Sequence, residues 1–203
     1  MADWWQPLVG VSVGWGLGQA TEWWRQLHIA RRYRLAIYVE LRDAHSTLKT
    51  RIGILRHILE SFIENQTLDG LPSDIKFPIF ESHFANVSLH FTESERLSFG
   101  HLYARVEELN SKFSIMRSCW DFQSGVEDKD RDNLRKIIQI AEGSYIDARE
   151  IDAMIELLIK KQKRFDIRDK EDEERLNRVG VQATDEIKAM IVAKQNEPRP
   201  SPE

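Results

Sequence analysis

Between Asp3 and Glu22 the chain carries no charged side chain, and this stretch is bracketed by two tryptophan pairs, Trp4-Trp5 and Trp23-Trp24. The 18-residue step from Trp5 to Trp23 rises roughly 27 Å as an α-helix, close to the hydrocarbon thickness of a bilayer. Tryptophan favours headgroup level, where its rings and N–H meet surroundings that are half apolar and half wet, so a pair at each end marks two interfaces. The segment reads as a transmembrane helix over residues 7–24 behind a short external tail at 1–6. Charge sets its orientation. Only Asp3 precedes it, whereas Arg25, Arg31, Arg32 and Arg34 follow it, and positive residues stay on the cytoplasmic side. The expected topology is N-terminus outside, body inside.

Other readings of the same residues compete. A cleaved signal peptide would put its basic residues before the apolar run; here they come after it, although Gly18-Gln19-Ala20 fits a small-residue cleavage site. A buried core helix suits the short apolar run from Pro7 to Ala20. An interfacial helix requires a charged face, which this stretch lacks.

At about 100° per residue, Gly10, Gly14, Gly18 and Thr21 line one face, with Ser12, Gly16 and Gln19 roughly opposite. Glycine at every fourth position lets helix backbones approach closely, which is how helices associate in lipid, where hydrophobic drive between them is absent. The expectation is a self-associating helix with Gly10, Gly14 and Gly18 at the oligomer interface and Ser12 and Gln19 facing any conducting side. The alternative is that glycine is simply frequent in membrane helices. Trp4, Trp5, Trp23, Trp24, Arg25, Arg31 and Arg32 are the expected membrane-interface residues. The arginines suit anionic headgroups.

The chain's 203 residues leave room for one domain beside this segment, and with a net charge of −4 and 31% charged residues nothing suggests a general nucleic-acid binder. Cys119 is the only cysteine, so neither an internal disulfide nor a cysteine-based zinc cluster forms within one chain. Beside Trp120 on a helical pattern, Cys119 reads as a small buried apolar residue.

Beyond the apolar segment the pattern is helical. Tyr38, Leu41, His45, Leu48, Ile52, Leu55, Leu59 and Phe62 follow 3-4 spacing without an intervening proline, so a juxtamembrane helix over 25–65 continues the first segment as one helix of roughly 60 residues. A turn at 65–72 ends it. Pro78 starts a short helix read as capping the bundle end. Thr92 and Glu95 have capping-box spacing ahead of a seam at Leu102, Val106, Leu109, Phe113, Met116 and Trp120, and a break follows at Ser124-Gly125. Acidic residues at 128–132 open a third long helix with its seam at Leu134, Ile138, Ala141, Tyr145, Ala148, Ile151, Ile155, Leu158 and Phe165. Mixed charge over 160–178 reads as a solvated helix. Gly180 is an expected stop, Val181, Ile187, Met190 and Ile191 an amphipathic remnant, and 194–203 a disordered tail. The fold class is all-α, an antiparallel helical bundle over 66–193 whose seams pair within one chain.

No catalytic signature is present: GxSxG, HExxH and the P-loop are all absent. His83 and His90 are seven positions apart, but no acidic ligand pattern joins them, so neither a metal nor another cofactor is expected. Arg96 and His101, and also Arg51 and His57, resemble the arginine–histidine pair of the RNA-cleaving helical domains called HEPN, without the polar residue directly after the arginine. The resemblance would make Arg96 and His101 a phosphate-acting pair. Catalysis is not the expected activity.

The Trp-flanked glycine-rich segment, the basic stop at Arg31-Arg32-Tyr33-Arg34 and the helical continuation through Val39-Glu40-Leu41 resemble a broad set of bacterial single-span proteins with a helical cytosolic domain. The architecture is also similar to membrane effectors of anti-phage systems, including small accessory membrane proteins of RNA-targeting CRISPR systems. The resemblance implies a homo-oligomer in the bacterial inner membrane that permeabilises it when the bundle rearranges, with a protein partner docking on the cytosolic bundle. A passive membrane tether and a HEPN-like ribonuclease are the alternatives.

Overall fold

The first helix, α1 (Trp5–Glu64), runs unbroken for 60 residues in the computed structural model, which describes residues 5–64, 70–121, 127–162 and 165–195. Its only proline, Pro7, sits in the first turn, where its missing N–H costs no helical bond. Four helices follow: α2 (Pro78–Val87), α3 (Glu93–Asp121), α4 (Glu127–Lys161) and α5 (Lys170–Gln195), with a 3₁₀ turn at Ser88–His90 between α2 and α3. No strand occurs among the described residues, and the all-α expectation holds. The expected break at Ser124-Gly125 and tail at 196–203 lie outside the described residues, as do most of the turn after α1 and the side chains at 194–195.

The helices end where local chemistry ends them. Thr92 and Glu95 form the expected capping box: Thr92 N–H donates to Glu95 Oε2 at 2.9 Å and Glu95 N–H donates to Thr92 Oγ1 at 3.2 Å. The N-terminus of α2 is capped from a distance. Its own N-cap, Phe77, offers no side-chain acceptor. The carboxylate of Glu40 on α1 instead accepts from the amides of Ile79 at 2.6 Å and Phe80 at 2.9 Å. Beyond α4, Gln162 adopts φ 47°, the left-handed geometry that stops a helix. Asp169 then caps α5, its Oδ1 accepting from Glu171 N–H at 2.8 Å.

Contacts between the helices fix their directions. Arg34 meets Glu95 near the start of α3, and Arg117 near its end reaches the Pro72 carbonyl at 2.8 Å, beside Ser73, which bonds Arg51. Thus α3 runs parallel to α1. Arg105 and Lys112 of α3 meet Glu150 and Asp147 of α4 in reverse order, so α4 runs back. Lys161 to Asp172 and Tyr145 to Glu186 make α5 antiparallel to α4 in turn. α4 packs on α1, α3 and α5. Leu41, Leu48, Leu55, Leu102, Leu109, Phe113, Ala141, Ile151 and Leu158 are buried in one core, each large side chain contributing about 1.5–3 kcal/mol through apolar area removed from water. The predicted seams of α1, α3 and α4 therefore close within one chain.

Four expectations need correction. The charged stretch over 160–178 is not one solvated helix, because α4 ends at Lys161, α5 begins at Lys170, and Phe165 and Asp172 are buried. α2 does not cap the end of the bundle. It lies between α1 and α3, held by Glu40 on one side and by the stacking of Phe80 on Tyr103 on the other. Gly180 does not stop a helix: it is buried within α5, where a Cβ would meet the end of the Glu150 side chain, overlapping Oε1 and lying 3.2 Å from Cδ. It marks a close approach of α5 to α4. In α5 the buried apolar side chains are Ala183 and Ile187, while Val181 is exposed. Finally, no helix among the described residues is long and apolar enough to cross a membrane, so the span expected over 7–24 is not supported. The reason lies in its composition, since four glycines with Ser12, Gln19 and Thr21 dilute the apolar residues.

Candidate membrane-facing arm

The N-terminal part of α1 leaves the bundle as a bare helical arm. Every residue from Gly10 to Gln26 is exposed, Leu27 is half-buried, and Ala30 is the first buried residue after Gly10. At 1.5 Å per residue, the 17 exposed residues from 10 to 26 extend about 25 Å. The exposed side chains include large apolar ones: Val11 is 72% exposed, Trp15 70% and Leu17 64%. An apolar surface of this kind on a continuous helix is the usual mark of a face awaiting a partner or a lipid phase.

Each predicted site residue has a definite setting. Gly10, Gly14 and Gly18 have open space on their Cβ side, with nothing within 4 Å. Ser12 and Gln19 are exposed on the arm. Trp23 and Trp24 are exposed, the ring of Trp24 lying 5.1 Å from that of His28. Trp4 and the side chain of Trp5 lie outside the described residues. Thr21 Oγ1 donates to the Leu17 carbonyl at 2.8 Å, a bond internal to the helix. Arg25 lies 3.8 Å from Glu22, both well exposed; Arg31 and Arg32 are exposed.

Arg34 behaves differently. Its guanidinium turns inward, pairs with the fully buried Glu95, and lies 5.3 Å from the centroid of the Phe91 ring. Tyr38 joins them, its hydroxyl donating to Glu95 at 3.2 Å. Burial, and then the adjacent Glu95 carboxylate, push the Tyr38 hydroxyl up to about 12. The same end of the bundle gathers the 3₁₀ turn, where Leu89 is 83% exposed, and the α4–α5 loop, where Ser94 Oγ donates to the Phe165 carbonyl at 2.6 Å. His83 stacks on Tyr33 with ring centroids 4.3 Å apart, so α2 descends α1 toward the arm. The arm therefore emerges from an end of the bundle pinned by polar contacts.

The structure gives the arginine–histidine pairs other surroundings. Arg96 donates to the carbonyls of Ser88 at 3.3 Å and Phe91 at 3.2 Å, holding the turn before α3. His101 is exposed on the same helix five positions later, about 140° around it. Partial burial, and then the Arg105 charge, hold its imidazole below the usual range. Arg51 donates to Ser73, and the His57 ring nitrogen lies 3.4 Å from Ser61 Oγ. No group of three or more metal-ligating side chains occurs among the described residues. Cys119 is half-buried.

No sequence motif marks the capping role of Glu40, or the network in which Arg105 reaches Glu150 at 2.6 Å and Asp147 at 3.3 Å. Glu40 carries one signal, its place beside Leu41 and three positions after Ile37 on the buried face of α1. An acid there needs a buried partner. Family models, curated proteins and solved structures were all compared with this chain, and none matches it.

Proposed function

We propose that the protein is a membrane-active oligomer whose arms associate through Gly10, Gly14 and Gly18 and enter the bilayer as an assembly. The observation that carries this reading is the arm itself: exposed on all sides from Gly10 to Gln26 and uncharged until Glu22. A helix this rich in glycine is too weakly apolar to reside alone in lipid. Packing of glycine faces would remove backbone from lipid and let Val11, Trp15 and Leu17 face outward. Ser12 and Gln19 would then supply the polar side of a permeable path, and Arg25, Arg31 and Arg32 would meet anionic headgroups. The reading places the N-terminus outside and the bundle in the cytoplasm. Association of bare single helices is weak, so contacts between bundles would assist it.

The low apolarity of the arm favours a second reading, a passive tether that holds a partner of the bundle at the membrane without perforating it. Dye leakage from vesicles separates the two. Perforation predicts leakage rising steeply with protein concentration and abolished by Gly10→Leu/Gly14→Leu/Gly18→Leu. A tether binds the vesicles and releases no dye.

A further inference from the structure

Between α2 and α3 lies a cavity of about 240 Å³, remote in its chemistry from the arm. Its walls are aromatic, formed by Phe77, Phe80, Phe84 and Tyr103, and no lysine, arginine or histidine lines it. Glu81 and Glu107 stand at its edge, exposed, and neither carboxylate has an ion-pair partner among the described residues. Tyr103 is 9% exposed, and its hydroxyl is buried without a hydrogen-bond partner. Burial first, and then the charges of Glu40 and Glu81, push that hydroxyl far above the usual tyrosine range.

The scaffold around the cavity is firmly held. Asn110 closes one edge, its side chain donating to the Ile75 carbonyl and accepting from the Ile75 amide, both at 2.8 Å. Glu40 fixes the N-terminus of α2 on the opposite side. Such a pocket is preformed, apolar in its body and provided with a few polar groups, the usual composition of a small-ligand site.

We propose that this cavity binds a small organic ammonium ion with an apolar body, the aromatic rings taking the body and Glu81 and Glu107 the charge. An ammonium held at the rim gains attraction from two unpaired carboxylates and, where it nears a ring, from the ring quadrupole. A neutral ligand would gain neither, and an anion would be repelled. At ~30 Å³ per water the cavity holds about eight waters, which suits an occupant of roughly that many heavy atoms.

The test is calorimetric titration of the full chain with 2-phenylethylammonium and, in parallel, with its neutral isostere 2-phenylethanol at the same ionic strength. The expected result is one saturable site per chain for the amine, at least about tenfold tighter than for the alcohol. Glu81→Gln/Glu107→Gln should remove that preference. Both residues are exposed, so the fold is kept, and an unchanged helical spectrum checks this. Equal affinity for amine and alcohol, amine binding unaffected by the double substitution, or no saturable heat with the amine would each overturn the proposal. None of these outcomes depends on membrane activity of the arm.

Discussion

Arg34 closes the basic cluster that follows the arm, and its guanidinium pairs with Glu95, a carboxylate with no exposed surface that also completes the capping box of α3. One residue thereby joins the base of the arm to the start of the helix that packs along α4. Glu95 accepts from Arg34, Tyr38 and the Thr92 amide, so its charge is compensated on every side.

Removing Arg34 leaves a buried carboxylate without its cation. Arg34→Ala is expected to destabilise the fold by about 3–5 kcal/mol. Arg31→Ala and Arg32→Ala, at exposed positions, should stay within about 0.5 kcal/mol. Chemical denaturation of the three variants checks the contrast. Equal effects would show that Arg34 is not distinguished by its pairing.

Glu40 supplies the cap that α2 lacks. Glu40→Ala should cost about 1–3 kcal/mol, because two amides lose their acceptor in a half-buried setting. The loss is expected locally, as faster hydrogen exchange at Ile79 and Phe80 than at the amides of α4. Glu40→Gln keeps one acceptor oxygen and should retain part of the protection.

Asp152 gives the fold a pH dependence. It lies 3.1 Å from His45 Nε2, yet neither atom makes an aligned hydrogen bond. Burial pushes its carboxyl above the ordinary aspartate range, against the opposing pull of His45 and Lys49. A raised carboxyl favours the neutral form, so its stabilising contribution is full below the unfolded pKa of about 3.9 and lost as pH rises through the folded value. At neutral pH the ionised group costs stability. Asp152→Asn should therefore melt above the parent protein at pH 7, the difference closing as pH falls towards about 4. A variant that melts lower at pH 7 would show that attraction to His45 outweighs burial.

Glycines separate into two kinds. A Cβ at Gly53 or Gly100 meets nothing within 4 Å, so alanine there should stabilise α1 or α3 by about 0.5–1 kcal/mol. At Gly180 the same change drives into Glu150 and disturbs its bond to Arg105. The loss of that bond, about 0.5–1.5 kcal/mol, offsets the helix-propensity gain of alanine. In thermal melts Gly53→Ala should therefore gain more than Gly180→Ala.

Much of the bundle is legible in the chain because its signals are local. The seven-residue spacing of Leu41, Leu48 and Leu55, uninterrupted by proline, specifies a long helix, and the Thr92–Glu95 spacing announces its own hydrogen bonds. What stays hidden is what depends on distant partners. α2 is positioned by Glu40, 39 residues away from Ile79, and no local motif records that bond. Gly180 carries the same letter as a helix stop, and only the approach of Glu150 distinguishes packing from termination. The aromatic cavity is likewise assembled from α2 and α3, whose spacings each suggest ordinary core. For the arm, the tryptophan brackets suggest a bilayer, while its glycines and polar residues lower its apolarity below that of a lone span.

Assembly of the arm through its glycine face and its entry into membranes can be measured together. The most direct test is flotation of the full chain with vesicles, with the mass of the detergent-extracted protein measured by light scattering, for the parent and for Gly10→Leu/Gly14→Leu/Gly18→Leu. Leucine raises the apolarity of the arm but blocks close approach of backbones. The parent is expected to float and to be a uniform oligomer, whereas the triple variant should float equally well and fall to smaller species. A parent protein that stays with the unbound fraction as a monomer would contradict it.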